Sequence, residues 1–152
     1  GAGGLYQALP EEKQALLDPG LQEIAREGTS YSLKEYLEAV GQREAYSVAM
    51  AKLYRNYDLL LTPTLPLVAF EAGREVPEGS GLERWCDWTP FTWPFNLTGQ
   101  PAASLPCGLT SAGLPAGLQI IGRRHADALV LRAAQAYEEA APFALPPNAG
   151  SR

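Results

Sequence analysis

The hydrophobic positions of this chain change their spacing from helical to strand-like and back to helical. Apolar side chains recur at helical spacing after a capping box formed by Ser32 and Glu35, and this pattern continues to about Arg55. A second helical pattern begins near Asp127 and ends before Pro142. Between the two patterns, short apolar runs are bounded by proline and glycine, which is typical of strands. The chain is therefore predicted to belong to the α/β class.

Three short segments have the composition of strands. Residues 57–62 end in a continuous apolar run before Pro63, which predicts a buried strand with neighbours on both sides. The second strand is predicted from 102 to 105 or 107, and a glycine-containing turn joins it to a third at 117–122 as a hairpin. Three strands do not complete a sheet that is covered on both faces. We therefore predict part of a mixed β-sheet flanked by helices, with further strands supplied by other sequence.

The remaining segments are predicted to be short helices and loops. A first helix begins at Pro10, and a second turn or two covers 21–27. The stretch from 65 to about 88 is rich in Gly, Pro and Glu, which predicts a long loop. Residues 1–9 and 146–152 are predicted to be loose.

Composition and charge exclude several classes of function. A net charge of −5 argues against a nucleic-acid groove, and no apolar run reaches the roughly 18 residues of a membrane span. No signal peptide is visible, so a cytoplasmic protein is expected. Cys86 and Cys107 are predicted to be reduced and partly buried, with a bridge between them as the alternative. Because the chain starts at Gly1 and its only methionine is Met50, we expect part of a longer polypeptide, with a processed mature protein as the alternative.

The residues present do not form a recognisable catalytic set. The single histidine, His125, stands in a basic turn, and no G-x-S-x-G motif accompanies it. Cys107 has no histidine candidate to deprotonate it and is predicted to be a small buried side chain. One histidine and two separated cysteines do not suffice for zinc, and no nucleotide-binding glycine motif occurs. We predict no metal and no cofactor.

Four segments, in order along the chain, carry a resemblance to a known family. They are Tyr36–Arg43, Tyr57–Pro66, Phe91–Gly108 (with NLTGQPAASLPCG) and Gly113–Arg124 (with GLQIIGRR). Each segment is weak alone, but the ordered series from about 30 to 140 resembles the C-terminal region of the amidase signature family, the serine hydrolases of carboxylic amides. The resemblance implies that residues 1–152 are a single C-terminal segment of a larger amidase domain.

The resemblance also implies a mechanism whose catalytic residues are not in this sequence. In the family, a serine attacks the amide, and a lysine acts as the base through a second serine in a cis peptide linkage. The three lysines, Lys13, Lys34 and Lys52, lie on predicted helices, and no Gly/Ser-rich run is present. The chain alone is therefore expected to be inactive. Two alternatives stay open: a non-catalytic binding or scaffold protein on the same fold, and an amidotransferase A-type glutaminase subunit.

What the segment contributes, by the same resemblance, is a wall of the substrate pocket near the Thr62–Pro66 turn. The predicted substrate-binding residues are Trp88, Thr89, Phe91 and Trp93. The alternative interpretation is that these side chains fill the core. Phe95 and Asn96 are predicted to be structural.

One departure from the family bears on the substrate. Members that resemble the glutaminase subunit carry an aspartate seven residues before the asparagine, where this chain has Thr89 before Asn96. A neutral residue does not balance an ammonium group, so an amide less polar than glutamine is expected, unless Asp87 substitutes. The implied partners are this small-molecule amide and the N-terminal part of the same polypeptide, with a homodimer left open. Neither nucleic acid nor a membrane is expected as a partner.

Overall fold

The computed structural model describes residues 2–143. The chain forms two compact units, with the boundary between Gln42 and Arg43. The first unit holds three helices and the start of a fourth: α1 (Ala2–Ala8), α2 (Glu11–Gln14), α3 (Pro19–Glu27) and α4 (Leu33–Leu53). The prediction that 1–9 is loose is wrong over Ala2–Ala8, which form α1, while 146–152 lie outside the described residues.

Local signals in the sequence set the ends of these helices. Asp18 accepts the backbone N–H of Leu21 at 3.1 Å and so caps α3. The capping box of α4 is confirmed, because Glu35 accepts the backbone N–H of Ser32 at 2.8 Å and the Ser32 hydroxyl accepts that of Glu35 at 3.3 Å. The hydrogen bonds from Ser32 lower the pKa of the Glu35 carboxyl.

The second unit is built on a three-stranded antiparallel sheet. Its strands are β1 (Leu59–Pro63), β2 (Ala102–Leu109) and β3 (Pro115–Gly122), in the order β1-β3-β2. The predicted hairpin of β2 and β3 is confirmed, as is the α/β class. The prediction of a buried first strand is wrong for the described residues, because β1 pairs with β3 alone and Leu61 is 57% exposed.

Helices cover both faces of this sheet. On one face, α6 (Asp127–Ala140) places Val130 and Ala134 against Ile120 and its neighbour Leu105. On the other face, Ile121 of β3 packs against Met50 of α4 and against Phe95, which lies on a short helix described below. Successive residues of a strand point to opposite faces, so Ile120 and Ile121 each anchor one of these layers.

The connection between β1 and β2 is long, as predicted. It contains a short 3₁₀ helix (Trp85–Trp88) and then α5 (Trp93–Thr98), which the sequence interpretation did not include. Pro94 stands in the first turn of α5, where its missing N–H has no helical partner to lose. Gly99 ends α5 with φ +68°, a left-handed conformation that favours glycine.

Candidate functional site

Burial changes midway along β3, and this change defines the candidate site. We call Gln119–Gly122, which is buried throughout, the closed half of β3, and Pro115–Leu118, which is half-buried or exposed, the open half. The open half lines a groove of about 780 Å³, whose other walls are residues 61–69 and 104–107. Most of the lining is apolar, which suits an organic ligand.

A pair of hydroxyl groups lies in the wall of this groove. The Thr64 and Ser104 oxygens are 2.7 Å apart, and the Thr64 backbone N–H donates to the carbonyl of Gly117 at 2.9 Å. A Cβ at position 117 would lie 2.7 Å from Thr64 Oγ1 and 3.2 Å from Ser104 Oγ. Glycine is therefore needed at this position for the two hydroxyl groups to meet above the strand.

Gln119 links the groove to the segment that follows the 3₁₀ helix. Its side chain is buried, with 5% of the residue exposed, and its amide nitrogen donates to Thr62 Oγ1 at 3.0 Å and to the Phe91 carbonyl at 2.8 Å. Gln119 is paired with Ser104 across the sheet, so the two side chains share a face. One buried amide thus joins two segments that the resemblance placed near the cleft.

The sequence interpretation missed this role of Gln119. The available signal was a single polar residue within the apolar run of Leu118 to Ile121. A buried polar side chain is costly unless it is hydrogen-bonded, so such a residue in a strand marks a required partner.

Trp88, a predicted substrate-binding residue, contacts the long loop. Its indole N–H donates to the Glu75 carbonyl at 3.0 Å, and its ring meets that of Phe70 edge-on at 5.7 Å. These two rings line a separate hollow of about 290 Å³ beside the groove residues 65–69. The described contacts of Trp88 therefore hold the loop that forms one wall of the groove.

Two of the other predicted residues, Thr89 and Trp93, donate to one carbonyl oxygen. The Cys86 carbonyl accepts the Thr89 hydroxyl at 2.7 Å and the Trp93 indole N–H at 3.3 Å. Trp93 is 40% exposed and lies 6.3 Å from the ring of Trp85. Phe91 is half-buried and contributes its carbonyl to Gln119. Binding of substrate by these side chains stays a prediction.

Phe95 and Asn96 differ in their surroundings. Phe95 is buried in the cluster with Met50 and Ile121, at 6% exposure, whereas the Asn96 side chain is exposed. Phe95 therefore packs in the core of the second unit.

Asp87 uses its carboxylate to cap the 3₁₀ helix. One oxygen accepts the backbone N–H groups of Arg84 at 2.8 Å and Glu83 at 3.1 Å. These hydrogen bonds, the one from Arg84 first, lower the pKa of the Asp87 carboxyl. Whether Asp87 substitutes for the family's aspartate stays a prediction.

The lysines and the histidine of the described part lie on exposed surfaces outside the groove. Lys13, Lys34 and Lys52 are exposed on α2 and α4, and His125 is exposed in a turn with φ +64°. Over the described residues, no group of three His, Cys, Asp or Glu side chains is placed to hold a metal ion.

The two cysteines are both free thiols. Cys86 is half-buried, as predicted. The prediction of a buried side chain is wrong for Cys107, which is exposed and lines the groove. Among the strands of residues 2–143, β2 lies at the edge of the sheet, and its pairing is irregular between Pro106 and Gly108.

Comparison with known proteins decides the family. The profile of the Amidase family matches residues 4–131. The chain belongs to the amidase signature family. Solved structures of this family have the same fold: a bacterial aryl acylamidase superposes with a TM-score of 0.75 at 30% identity, over 93% of this chain and 31% of its own. The A-type subunit of the glutamyl-tRNA(Gln) amidotransferase from Thermotoga maritima superposes at 0.67 with 32% identity, over 95% and 35%.

Curated relatives include both hydrolases and amidotransferase subunits. The A-type subunit of the glutamyl-tRNA(Gln) amidotransferase from Brevibacillus brevis is 46% identical over 93 residues, which are 60% of this chain and 18% of that protein. An acylamidase of Rhodococcus erythropolis is 39% identical over 113 residues, 69% of this chain and 24% of its own. The amidase signature chain thus spans about a fifth of the length of these relatives. No helix within the described residues is long and apolar enough to cross a membrane.

Proposed function

We propose that this chain is the C-terminal portion of a cytoplasmic amidase that hydrolyses the C–N bond of a carboxylic amide, and that the open half of β3 forms a wall of the substrate cleft. Membership of the amidase signature family supports the class of reaction. The observation that carries the cleft assignment is Gln119, whose buried amide holds Thr62 and the Phe91 carbonyl beside an apolar groove.

In this proposal the reacting groups come from the N-terminal part of the same polypeptide. A serine oxygen attacks the amide carbon, its proton passes through a second serine to a lysine, and the amine takes a proton as it leaves. Water then cleaves the acyl ester, which releases the acid and restores the serine. The present residues bind and orient the amide and exclude water, which raises the rate by fixing the reacting geometry.

The chain alone is expected to be inactive. Its three lysines are exposed on helices, and the Ser104 hydroxyl is hydrogen-bonded to Thr64, which is not a base. A nucleophilic serine needs a partner that takes its proton.

The substrate is proposed to be less polar than glutamine. The groove lining is mainly apolar, Thr89 is neutral, and the Asp87 carboxylate is committed to Arg84 and Glu83. No carboxylate is among the described residues that line the groove, so an ammonium group bound there would give up hydration without gaining a counter-charge. Aryl or alkyl amides fit this chemistry.

A second candidate is an amidotransferase A-type glutaminase subunit. Relatives of that kind are 38% to 46% identical to this chain, which favours the candidate. It predicts glutamine-dependent release of ammonia and co-purification with other subunits. The neutral Thr89 favours the first candidate.

The test is amine and ammonia release by the protein at its natural length from anilides, alkyl amides and glutamine. We expect hydrolysis of the apolar amides, and Trp93→Ala should change the ratio of kcat/KM between a large and a small amide by about tenfold. Leu131→Ala, at an exposed position on α6, is the matched control and should leave the ratio unchanged. Absence of release from every amide would contradict the proposal, and a Trp93→Ala variant that only lowers the melting temperature would place Trp93 in the core.

A further inference from the structure

Three exposed arginines line a second cavity of the sheet unit. Arg55 follows α4, Arg123 and Arg124 follow β3, and all three line a cavity of about 310 Å³. Within residues 2–143, none of these guanidinium groups makes an ion pair. The cavity therefore concentrates positive charge that the described residues do not neutralise.

The other polar groups at this cavity are neutral. Ser47, Thr98 and Gln100 line it together with Tyr54, and no Asp or Glu is among its described lining residues. The Tyr54 hydroxyl donates to the Ile121 carbonyl at 3.2 Å, and burial raises the pKa of Tyr54, so the phenol stays uncharged. The Ser47 and Thr98 hydroxyl groups donate to the Arg43 and Pro94 carbonyls, so the donors left for an oxyanion are the Gln100 amide nitrogen and the guanidinium groups.

One of the arginines lies beside the backbone at Gly99. A Cβ at this position would lie 3.6 Å from Arg124 Nε and 4.0 Å from its Cζ, so the guanidinium packs directly against the glycine. Gly99 is also in the left-handed conformation that ends α5.

We infer that this cavity binds the phosphate group of a small soluble molecule. Three guanidinium groups match a doubly charged oxyanion better than a singly charged carboxylate, and their forked N–H groups suit its oxygens. The volume of about 310 Å³ lies at the lower end of the roughly 300–1,000 Å³ of small-molecule sites. The site is separate from the groove at the open half of β3, since the two share no lining residue.

The test is calorimetric titration of the natural-length protein at constant ionic strength with inorganic phosphate, with glycerol phosphate and with acetate. We expect saturable binding of phosphate or its ester that acetate does not displace. The double variant Arg123→Gln/Arg124→Gln should bind at least about tenfold more weakly, because each lost bond involves a charged group. The double Lys variant, which keeps the charge but not the fork, should fall between them.

The matched control is Arg132→Gln, an exposed arginine of α6 outside the cavity, which should bind like the wild type. Melting curves identify any variant that fails to fold, and the Lys variant then carries the comparison. Tighter binding of the ester would assign the site to a phosphorylated metabolite, and tighter binding of the inorganic ion to free phosphate. Absence of saturable binding, equal displacement by acetate, or the same loss in Arg132→Gln would overturn the inference.

Discussion

The two halves of β3 differ in burial although they belong to one continuous strand. In the closed half, Ile120 and Ile121 are 3% and 0% exposed, and each packs against helices on its own face of the sheet. In the open half, Ala116 and Gly117 are only half-buried and line the groove. The closed half pairs with both β1 and β2, whereas among the described strands β3 before Leu118 pairs with β2 alone and its register shifts between Pro106 and Gly108. The two halves therefore differ in backbone pairing as well as in side-chain packing.

The closed half contributes to the stability of the sheet, whereas the open half is accessible to a ligand. Burial of the isoleucines removes apolar surface from water, which is the main stabilising contribution to a folded domain. The groove leaves apolar surface exposed beside hydrogen-bonded polar groups. This combination is typical of sites that bind small organic molecules. Gln119 stands at the boundary and ties the two halves to the Phe91 segment.

The sharpest way to test the comparison is truncation within each half. Ile121→Ala should lower the free energy of unfolding by about 2–5 kcal/mol, because it leaves a cavity in a fully buried position. Leu118→Ala should cost less, since that side chain is half-buried and the groove leaves it partly open. Urea denaturation of the natural-length protein measures both. Equal losses would contradict the division of β3 into two halves.

A second prediction concerns the boundary residue. Gln119→Leu should cost about 1–3 kcal/mol, because the Phe91 carbonyl and Thr62 lose the amide that donates to them. If the linked segment borders the cleft, KM for the preferred amide should rise more than kcat falls. Gln135→Leu, at an exposed position of α6, is the control. An unchanged KM in a destabilised Gln119 variant would leave Gln119 with a structural role alone.

Two glycines of β3 give a matched pair. An added Cβ would lie 2.7 Å from Val130 Cγ2 at Gly122 and 2.7 Å from Thr64 Oγ1 at Gly117. Val130 lies on α6 and is buried in the cluster with Ile120, so it has no room to move aside, and Gly122→Ala should cost about 1–3 kcal/mol. Thr64 borders the groove and has room to rotate, so Gly117→Ala should cost less and mainly separate Thr64 from Ser104. Thermal unfolding of the two variants compares them, and the reverse order would contradict this account.

The smallest effect is expected at Asp87, outside both halves. Its pKa is lowered in the folded protein, so its contribution to stability is present above the unfolded pKa and is lost as the pH falls through the folded pKa. Asp87→Asn should therefore melt at a lower temperature than the wild type near neutral pH, and the two should converge in acid. Asp58→Asn changes the net charge equally and serves as the control. A melting difference that persists in acid would show that the carboxylate is not its cause.

The sequence predicted those parts of the fold that depend on local signals. The capping box at Ser32 and Glu35, the β2–β3 hairpin and the helix from Asp127 each follow from adjacent residues or from one periodic pattern. The burial of β1 could not be predicted in the same way, because an apolar run does not reveal whether the strand has a neighbour on each side. Leu61 is apolar and yet 57% exposed at the sheet edge.

The sequence predicted which segments form the candidate site but not which side chains link them. The resemblance selected the Thr62–Pro66 turn and the stretch around Phe91, and the structure joins these segments through Gln119. Which side chain makes that link depends on the register of β3 against β1 and β2, and register is a long-range property. The Thr64–Ser104 pair, 40 residues apart in sequence, was out of reach for the same reason.

The most direct test of the central claim is a substitution in the open half of β3 that fills the groove. Ala116→Phe adds a ring to a half-buried position that lines the groove, and Leu131→Phe adds the same ring to an exposed position on α6. Amine release by the natural-length protein is followed with a large and a small amide. If the open half of β3 is a wall of the substrate cleft, Ala116→Phe loses activity on the large amide, retains it on the small one, and melts near the wild-type temperature. Unchanged kcat/KM for both amides in a folded Ala116→Phe variant would contradict the assignment.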